Sequence, residues 1–235
     1  MTHLTGEQHS TYVSAMFGRI ARRYDLLNRL MTLGQDGSWR RDLVRRLAPQ
    51  PGERLLDLGT GTGDLAFEFL RQCPQARIVA ADFTPAMLAV GRERARGRRV
   101  AWVVADALHL PFRAGTFDAL ASGFLLRNVA DLDGALAEQV RALRPSGRLG
   151  CLDTTPPQRG WLQPILRFHL RFVIPRLGRW LAGDAEAYNY LPKSTEKFQT
   201  AEALASSMEH AGLRSVHFLR RMLGTIALHW AVSQP

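Results

Sequence analysis

The sequence predicts an α/β fold: a doubly wound, mostly parallel seven-stranded sheet with a C-terminal antiparallel strand pair and a helical cap. Three observations lead there. From about residue 54 to 155, short apolar runs alternate with segments whose apolar residues recur every three or four positions. The stretch "LLDLGTGTGDLAFEFL" (55–70) carries an apolar run through an acid and three alternating glycines into a helical pattern. Two late strand-like runs are separated by a few residues around Gly224, too few for a parallel crossover.

Each element follows from its residues. Residues 1–50 read as a basic helical segment. The strands are "RLLDLG", "ARIVAAD", "RVAWVVAD", "FDALASGF" and "GRLGCLDTT", each stopped by Gly, Asp or Thr. Between them, "DLAFEFLRQ", "TPAMLAVGRERA" and "DLDGALAEQVRAL" have helical spacing, and alternation of this kind demands right-handed crossovers. "LRPSGRL" (143–149) reads as a turn leading into the fifth strand. The helix "TAEALASSMEHAG" precedes the antiparallel pair "SVHFLRR" and "ALHWAVS". The domain plan is therefore a helical segment 1–50, a ligand-binding core 51–155, a cap 156–198 and a closing unit 199–235. In the cap, "WLQPILRFHLRFVIPRLGRWLAG" interleaves aromatics with Arg167, Arg171, Arg176 and Arg179, and prolines break it into short pieces.

Composition narrows the class. A chain of 235 residues, 46% hydrophobic and 22% charged, can bury one sizeable core. Residues 1–10 have no secretory pattern, and no apolar run is long enough to span a bilayer. Cys73 and Cys151 make neither a disulfide framework nor a zinc pattern, which predicts no metal and a reducing compartment. The expectation is a soluble cytoplasmic protein. The net charge of +10 is carried almost wholly by arginine and favours anionic partners. "GRERARGRR" (91–99) is the segment most like a nucleic-acid patch, but it lacks interleaved aromatics and falls at a solvated helix end, so no nucleic acid is expected.

The glycine loop specifies its ligand. Ligands of doubly wound sheets bind at the C-terminal strand ends, where Gly59, Gly61 and Gly63 fall. A dinucleotide fingerprint has a third glycine three residues after its second; here that position is Asp64, an acid that opposes a diphosphate at a helix start. Asp57, Asp82 and Asp106 sit at or near the ends of the first three strands. Asp82, about twenty residues past the glycines, is placed for ribose hydroxyls. Asp106 is placed for an adenine amino group, with the Ala107 amide beside it. Three acids suit a phosphate-free nucleoside with a cationic tail, such as S-adenosyl-L-methionine, over a nicotinamide dinucleotide.

With these motifs placed, the sequence resembles the C-methyltransferases of menaquinone and ubiquinone biosynthesis, within the Rossmann-like class I methyltransferases. The resemblance runs from about Phe17 to Trp230, and "RYDLLN", "LRNV" and "YNYLPKS" are its most specific blocks. It implies cofactor contacts at the glycine loop with Thr62, at Asp82 with Phe83, at Asp106 with Ala107, and at Gly123. Gly123 stands where the family has a serine, leaving Ser122 as the neighbouring hydroxyl. Leu125 replaces a glycine, Asp36 replaces a histidine and "DTTPP" departs from the family's segment after the fifth strand, which leaves the choice of quinone open.

The implied reaction is methylation of a ring carbon on a prenylated quinol. Arg127 would favour the phenolate and Asn128 would orient the ring oxygen, the alternative being that "LRN" caps the helix starting near Asp131. Tyr24, Asn28 and Tyr190 join the substrate side, and Asp153, His169 and Tyr188 are weighed there as bases. The cap's aromatics would take an isoprenoid tail while its arginines meet an anionic membrane surface. A homodimer is compatible with the sequence. Three alternatives remain: a class I methyltransferase for another aromatic or lipid acceptor, an RNA-binding or RNA-modifying protein, and a nicotinamide oxidoreductase.

Overall fold

The computed structural model describes residues 6–156, 194–195 and 198–235. One sheet of seven strands runs in the order β3-β2-β1-β4-β5-β7-β6. Its strands are β1 Arg54–Leu58, β2 Arg77–Asp82, β3 Val100–Val104, β4 Phe117–Gly123, β5 Leu143–Thr154, β6 Leu213–Arg221 and β7 Ile226–Ser233. The first five are mutually parallel; β7 pairs antiparallel with both β5 and β6. Helices are α1 Gly6–Met31, α2 Asp36–Leu47, α3 Asp64–Gln72, α4 Pro85–Arg94, α5 Leu132–Ala142 and α6 Ala201–His210. Among the described residues, no helix is long and apolar enough to cross a membrane. Residues 157–193, nearly all of the expected cap, lie outside the described residues.

Alternation along the central strands splits the core in two. Leu56 and Leu120 face one apolar cluster with Leu136, Leu149 and Met208, beneath α5 and α6. Their neighbours Leu55, Ala119 and Ala121 face the other, with Trp39, Leu43 and Phe69 from α2 and α3. Both faces being covered, β1 is buried from Leu55 to Leu58. Side chains cap the later helices: Asp131 accepts from the Gly134 N–H at 3.1 Å, and Thr200 from the Ala203 N–H at 3.2 Å. Asp131 therefore caps α5 by itself, and Leu126–Asn128 form a separate 3-10 turn, so "LRN" is not that helix's cap.

Two local expectations are corrected. The turn at 143–149 is a bulge inside β5: Leu143 already pairs with Phe117, and pairing resumes at Ala119 with Arg148. Pro145 lacks an N–H to pair, and Ser146 has a φ of 60°, so the excursion accommodates both. Asp106 lies past the end of β3, in a turn closed by a bridge to His109.

The third glycine of the loop has a packing role. A Cβ on Gly63 would lie 2.7 Å from the Trp102 ring on β3, and one on Gly91 of α4 would lie 2.5 Å from the same ring. Two glycines thus let an indole slot between α3, α4 and the sheet edge. Gly91→Ala separates sterics from helix propensity, because alanine is better in a helix by about 1 kcal/mol. We expect the substitution to forfeit that gain and destabilise by up to about 2 kcal/mol in urea denaturation, since overpacking of ~1–3 kcal/mol opposes it. In a Trp102→Leu background the same change becomes neutral or stabilising; a cost unaffected by the background would rule out the steric account.

Candidate active site

A cleft opens over the C-terminal ends of β1, β2 and β4 and encloses about 790 Å³, counting its mouth. The loop after β1 forms its floor. Gly59 takes a φ of 66°, and a Cβ there would sit 2.8 Å from the Leu125 side chain, so only glycine lets that leucine pack against the loop. Asp82 holds this loop: its Oδ2 accepts from the Gly61 N–H at 2.7 Å and its Oδ1 from the Thr84 N–H at 2.8 Å. Burial pushes the Asp82 carboxyl above the usual range, and those two N–H donors oppose the shift. Each oxygen keeps acceptor capacity, and Asp82 lines the cleft.

Asp106, Ala107, Phe83 and Gly123 also line the cleft, as the sequence anticipates. Asp106 accepts from the Leu108 N–H at 2.9 Å, and Phe83 is 41% exposed on the rim. Ser122 is fully buried and does not line the cleft, so it cannot stand in for the missing serine at 123. Asp57 lies deeper than a strand-end contact. It is fully buried beneath the loop, where its Oδ2 accepts from Thr60 Oγ1 at 2.5 Å and the Ala66 N–H at 2.8 Å. Burial pushes its carboxyl up to about 7 against those bonds.

Sequence reasoning missed an arginine network around the loop. Arg94 of α4 pairs with Asp25 of α1 at 2.9 Å and with Asp64 at 2.8 Å, while Arg40 of α2 pairs with Asp36 and reaches Asp64 at 3.5 Å. Arg94 is thus no solvated helix end. Burial opposes charge on Asp64, but Arg40 and Arg94 outweigh it and hold the carboxyl below its usual range. The acid expected to repel a diphosphate is therefore already neutralised. The Thr62 hydroxyl is committed to this network: it donates to Asp25 at 2.5 Å and accepts from Arg94 at 2.8 Å, its carbonyl also accepts from Arg94 at 2.9 Å, and Thr62 is buried without lining the cleft, against the expected cofactor contact. The i, i+4 pair Asp36/Arg40 was the available signal in the sequence.

The network lays α1 across the cleft. Val13, Phe17 and Tyr24 line it, with Phe17 and Tyr24 edge to face at 5.7 Å between centroids. Burial raises the Tyr24 phenol above its usual range, with Arg127 and Arg40 opposing. Asn28 is buried one turn further on. Asn128 lines the cleft and donates to the Phe124 carbonyl at 2.9 Å. Arg127 sits behind Phe124, with its guanidinium 5.0 Å from the ring centroid. Its Nη1 pairs with Asp153 at 2.6 Å, both side chains almost wholly buried. This makes Asp153 a counter-ion and a poor base. Arg127 Nε is buried with no hydrogen-bond partner. His169, Tyr188 and Tyr190 lie outside the described residues. Among the described residues, no cluster of His, Cys, Asp and Glu could hold a metal.

The cleft lining contains two carboxylates, Asp82 and Asp106, and among the described residues no lysine, arginine or histidine. That is a poor phosphate site and a fitting one for a cationic nucleoside. A family model, the ubiE/COQ5 methyltransferase family, matches residues 5–233. The chain belongs to this family. A ubiquinone/menaquinone biosynthesis C-methyltransferase of Desulfotalea psychrophila is 46% identical over 220 residues, 94% of this chain and 89% of the relative. A demethylmenaquinone methyltransferase of Thermus thermophilus is 45% identical over 216 residues, 91% of this chain and 98% of the relative. Among solved structures, the [4+2]-cyclase SpnF aligns over 100% of this chain and 98% of its own, with a TM-score of 0.69 at 19% identity. Haemonchus contortus phosphoethanolamine N-methyltransferase 2, in complex with S-adenosyl-L-methionine, aligns over 83% of this chain and 52% of its own, with a TM-score of 0.63 at 15% identity. At such identities the likeness shows the fold alone.

In this methyltransferase family member, Asp57 gives a pH signature. A carboxyl raised from 3.8 to about 7 holds its proton in the folded state after the unfolded chain has lost it. Its contribution to stability is full at low pH and is lost between about pH 4 and pH 7. The melting temperature of Asp57→Asn, relative to the unsubstituted protein, should therefore be higher at pH 8 than at pH 5. A difference independent of pH would show that Asp57 ionises normally beneath the loop.

Proposed function

We propose that this protein is an S-adenosylmethionine-dependent C-methyltransferase that methylates a ring carbon of a prenylated quinol, with demethylmenaquinol as the favoured acceptor. The observation that carries the reading is the cleft lining: two carboxylates, no cation among the described residues, and the loop glycines Gly59 and Gly61. The names of relatives 45–46% identical over nearly the whole chain support the acceptor class.

The residues fit the cofactor. Asp82 has acceptor capacity left for ribose hydroxyls, Asp106 and the Ala107 amide face an adenine edge, and Gly59, Gly61 and Gly123 leave room for the rest. When bound, S-adenosylmethionine supplies a methyl group activated by a sulfonium. The chain's own task is then to position a quinol ring and favour its phenolate, whose ordinary pKa lies near ~10. Arg127 carries the charge for this. Its Nη1 is fixed by Asp153 and its guanidinium lies against the Phe124 ring that borders the cleft, so it would favour the phenolate through space and not by a direct hydrogen bond. Asn128, tied to the Phe124 carbonyl, and Tyr24 flank the ring's approach. The methyl group that the sulfonium would supply goes to the ring carbon, which would then give up its own proton to solvent. Positioning alone can remove ~7–11 kcal/mol of barrier, so no dedicated base is required. Enzyme location at the cytoplasmic face of a membrane belongs to the same proposal, because a prenylated acceptor resides in the bilayer.

The test is methyl transfer from labelled donor to demethylmenaquinol, demethoxy-ubiquinol analogues and unrelated phenols. Turnover confined to quinols supports the proposal; turnover of unrelated phenols alone would replace it with another acceptor class. Two substitutions divide the site. Asp82→Ala should weaken donor affinity by roughly 10–100-fold, the loss of charge-assisted hydrogen bonds. Removing Arg127 alone would strand buried Asp153, at about 3–5 kcal/mol, so the pair is neutralised together as Arg127→Gln/Asp153→Asn. That variant should keep donor affinity and lose roughly 10²–10³-fold in kcat. The opposite pattern would mean that the donor and acceptor halves are misassigned.

A further inference from the structure

We propose that a groove formed by α3, the end of α4 and the turn into β3 binds a phosphate-bearing anion in competition with Asp25 for Arg94, and that its occupancy loosens α1 over the cleft. The groove encloses about 1060 Å³, counting its mouth. Four arginines line it, Arg71, Arg94, Arg98 and Arg99, against two acids, Asp64 and Glu68. Both acids are engaged. Asp64 pairs with Arg94 and Arg40, and Glu68 accepts from Arg71 Nε at 2.9 Å and Nη2 at 2.6 Å. Arg98 and Arg99 are exposed and meet no carboxylate among the described residues. The lining therefore carries a surplus of two positive charges beside the apolar walls of Phe67, Leu70 and Pro74. Walls of low dielectric focus such a field. The Phe67 ring gathers the cations, with the Arg98 guanidinium 4.7 Å and the Arg94 guanidinium 5.2 Å from its centroid. A surplus of two in one groove fits a multiply charged phosphate better than a single carboxylate, and guanidinium forks match phosphate oxygens. The run "GRERARGRR" builds this arrangement. Gly97, with a φ of 78°, turns the chain out of α4, so that Arg98 and Arg99 join Arg94 in the groove while Arg92 and Arg96 stay outside its lining.

Arg94 joins this groove to the cleft. Its Nη1 pairs with Asp25 of α1 at 2.9 Å and donates to the Thr62 hydroxyl at 2.8 Å and the Thr62 carbonyl at 2.9 Å. Its Nη2 pairs with Asp64 at 2.8 Å. One side chain thus lines the groove and at the same time ties α1 to the glycine loop. An anion held by Arg98 and Arg99 brings negative charge to Arg94 and competes with Asp25 for it. Filling the groove therefore weakens the hold on α1, which lines the cleft through Val13, Phe17 and Tyr24, and donor affinity falls. Linkage requires the converse, that S-adenosylmethionine weakens the anion by the same factor. The effect is read on the donor alone and stands whatever the acceptor is.

The experiment is titration calorimetry of the intact protein with inorganic pyrophosphate in low and high salt, followed by titration of S-adenosylmethionine with and without saturating pyrophosphate. Pyrophosphate should bind saturably and more weakly in high salt. At saturation it should lower donor affinity by at least about five-fold. Arg98→Gln/Arg99→Gln should bind pyrophosphate at least ~10-fold more weakly while keeping its melting temperature and its donor affinity. Arg92→Gln/Arg96→Gln removes the same charge outside the groove and should keep pyrophosphate affinity within about two-fold. Co-sedimentation with phosphatidylglycerol vesicles separates the sources of phosphate. Vesicle binding that is lost in the Arg98/Arg99 variant and lowers donor affinity, with pyrophosphate silent, supports the site with a lipid headgroup as its ligand. Binding of neither probe overturns the proposal, and so do equal losses in the two double variants, which mark a general effect of charge. Unchanged donor affinity in saturating pyrophosphate overturns the competition for Arg94. Binding of a long RNA with pyrophosphate and vesicles both silent makes the segment a nucleic-acid surface and overturns it as well.

Discussion

The structure turns on one hydrogen bond. The Asp82 carboxylate accepts the Gly61 N–H at 2.7 Å, across the gap between β1 and β2. A charge-assisted bond of this kind contributes about 1.5–3 kcal/mol, and here it fixes a loop whose glycines resist any single conformation. It also commits the cleft electrostatically. A backbone N–H of the glycine loop is taken by an acid, and that acid lines the cleft with acceptor capacity to spare. Asp57, fully buried, supports the loop from below through Thr60 and the start of α3.

Around that bond, arginines are kept out of the cleft by being used elsewhere. Arg94 and Arg40 close on Asp25, Asp64 and Asp36, and Arg127 closes on Asp153. A chain so rich in arginine could easily have made a phosphate site; the pairing of these three prevents it. The Arg94–Asp25 pair holds α1 over the cleft, which that helix helps to line.

Much of this was legible in the sequence, for physical reasons. Parallel strands buried on both faces read as apolar runs, and crossovers of helical period left little freedom in topology. The antiparallel pair β6 and β7 followed from a connection too short for anything else. Asp82 and Asp106 were legible as acids of the cleft because one ends β2 and the other falls two residues past β3. What stayed hidden depended on contacts distant in sequence. Asp64 looked like an exposed acid until α2 and α4 brought Arg40 and Arg94 to it. Thr62 looked like a ligand contact until α1 supplied Asp25. Asp57, one residue from the end of β1, could not be recognised as buried without knowing the sheet's pleat. The bulge at Arg144–Gly147 read as a turn because its residues have turn chemistry, and nothing local revealed that Leu143 pairs before it.

The most direct measurement is titration calorimetry of the purified protein with S-adenosylmethionine and, separately, with NADH. A cleft lined by Asp82 and Asp106 and floored by a loop already bonded to Asp82 requires saturable binding of S-adenosylmethionine and none of the dinucleotide. Saturable binding of NADH, with S-adenosylmethionine silent, would mean that the loop opens to a diphosphate and that the acids do not define the site.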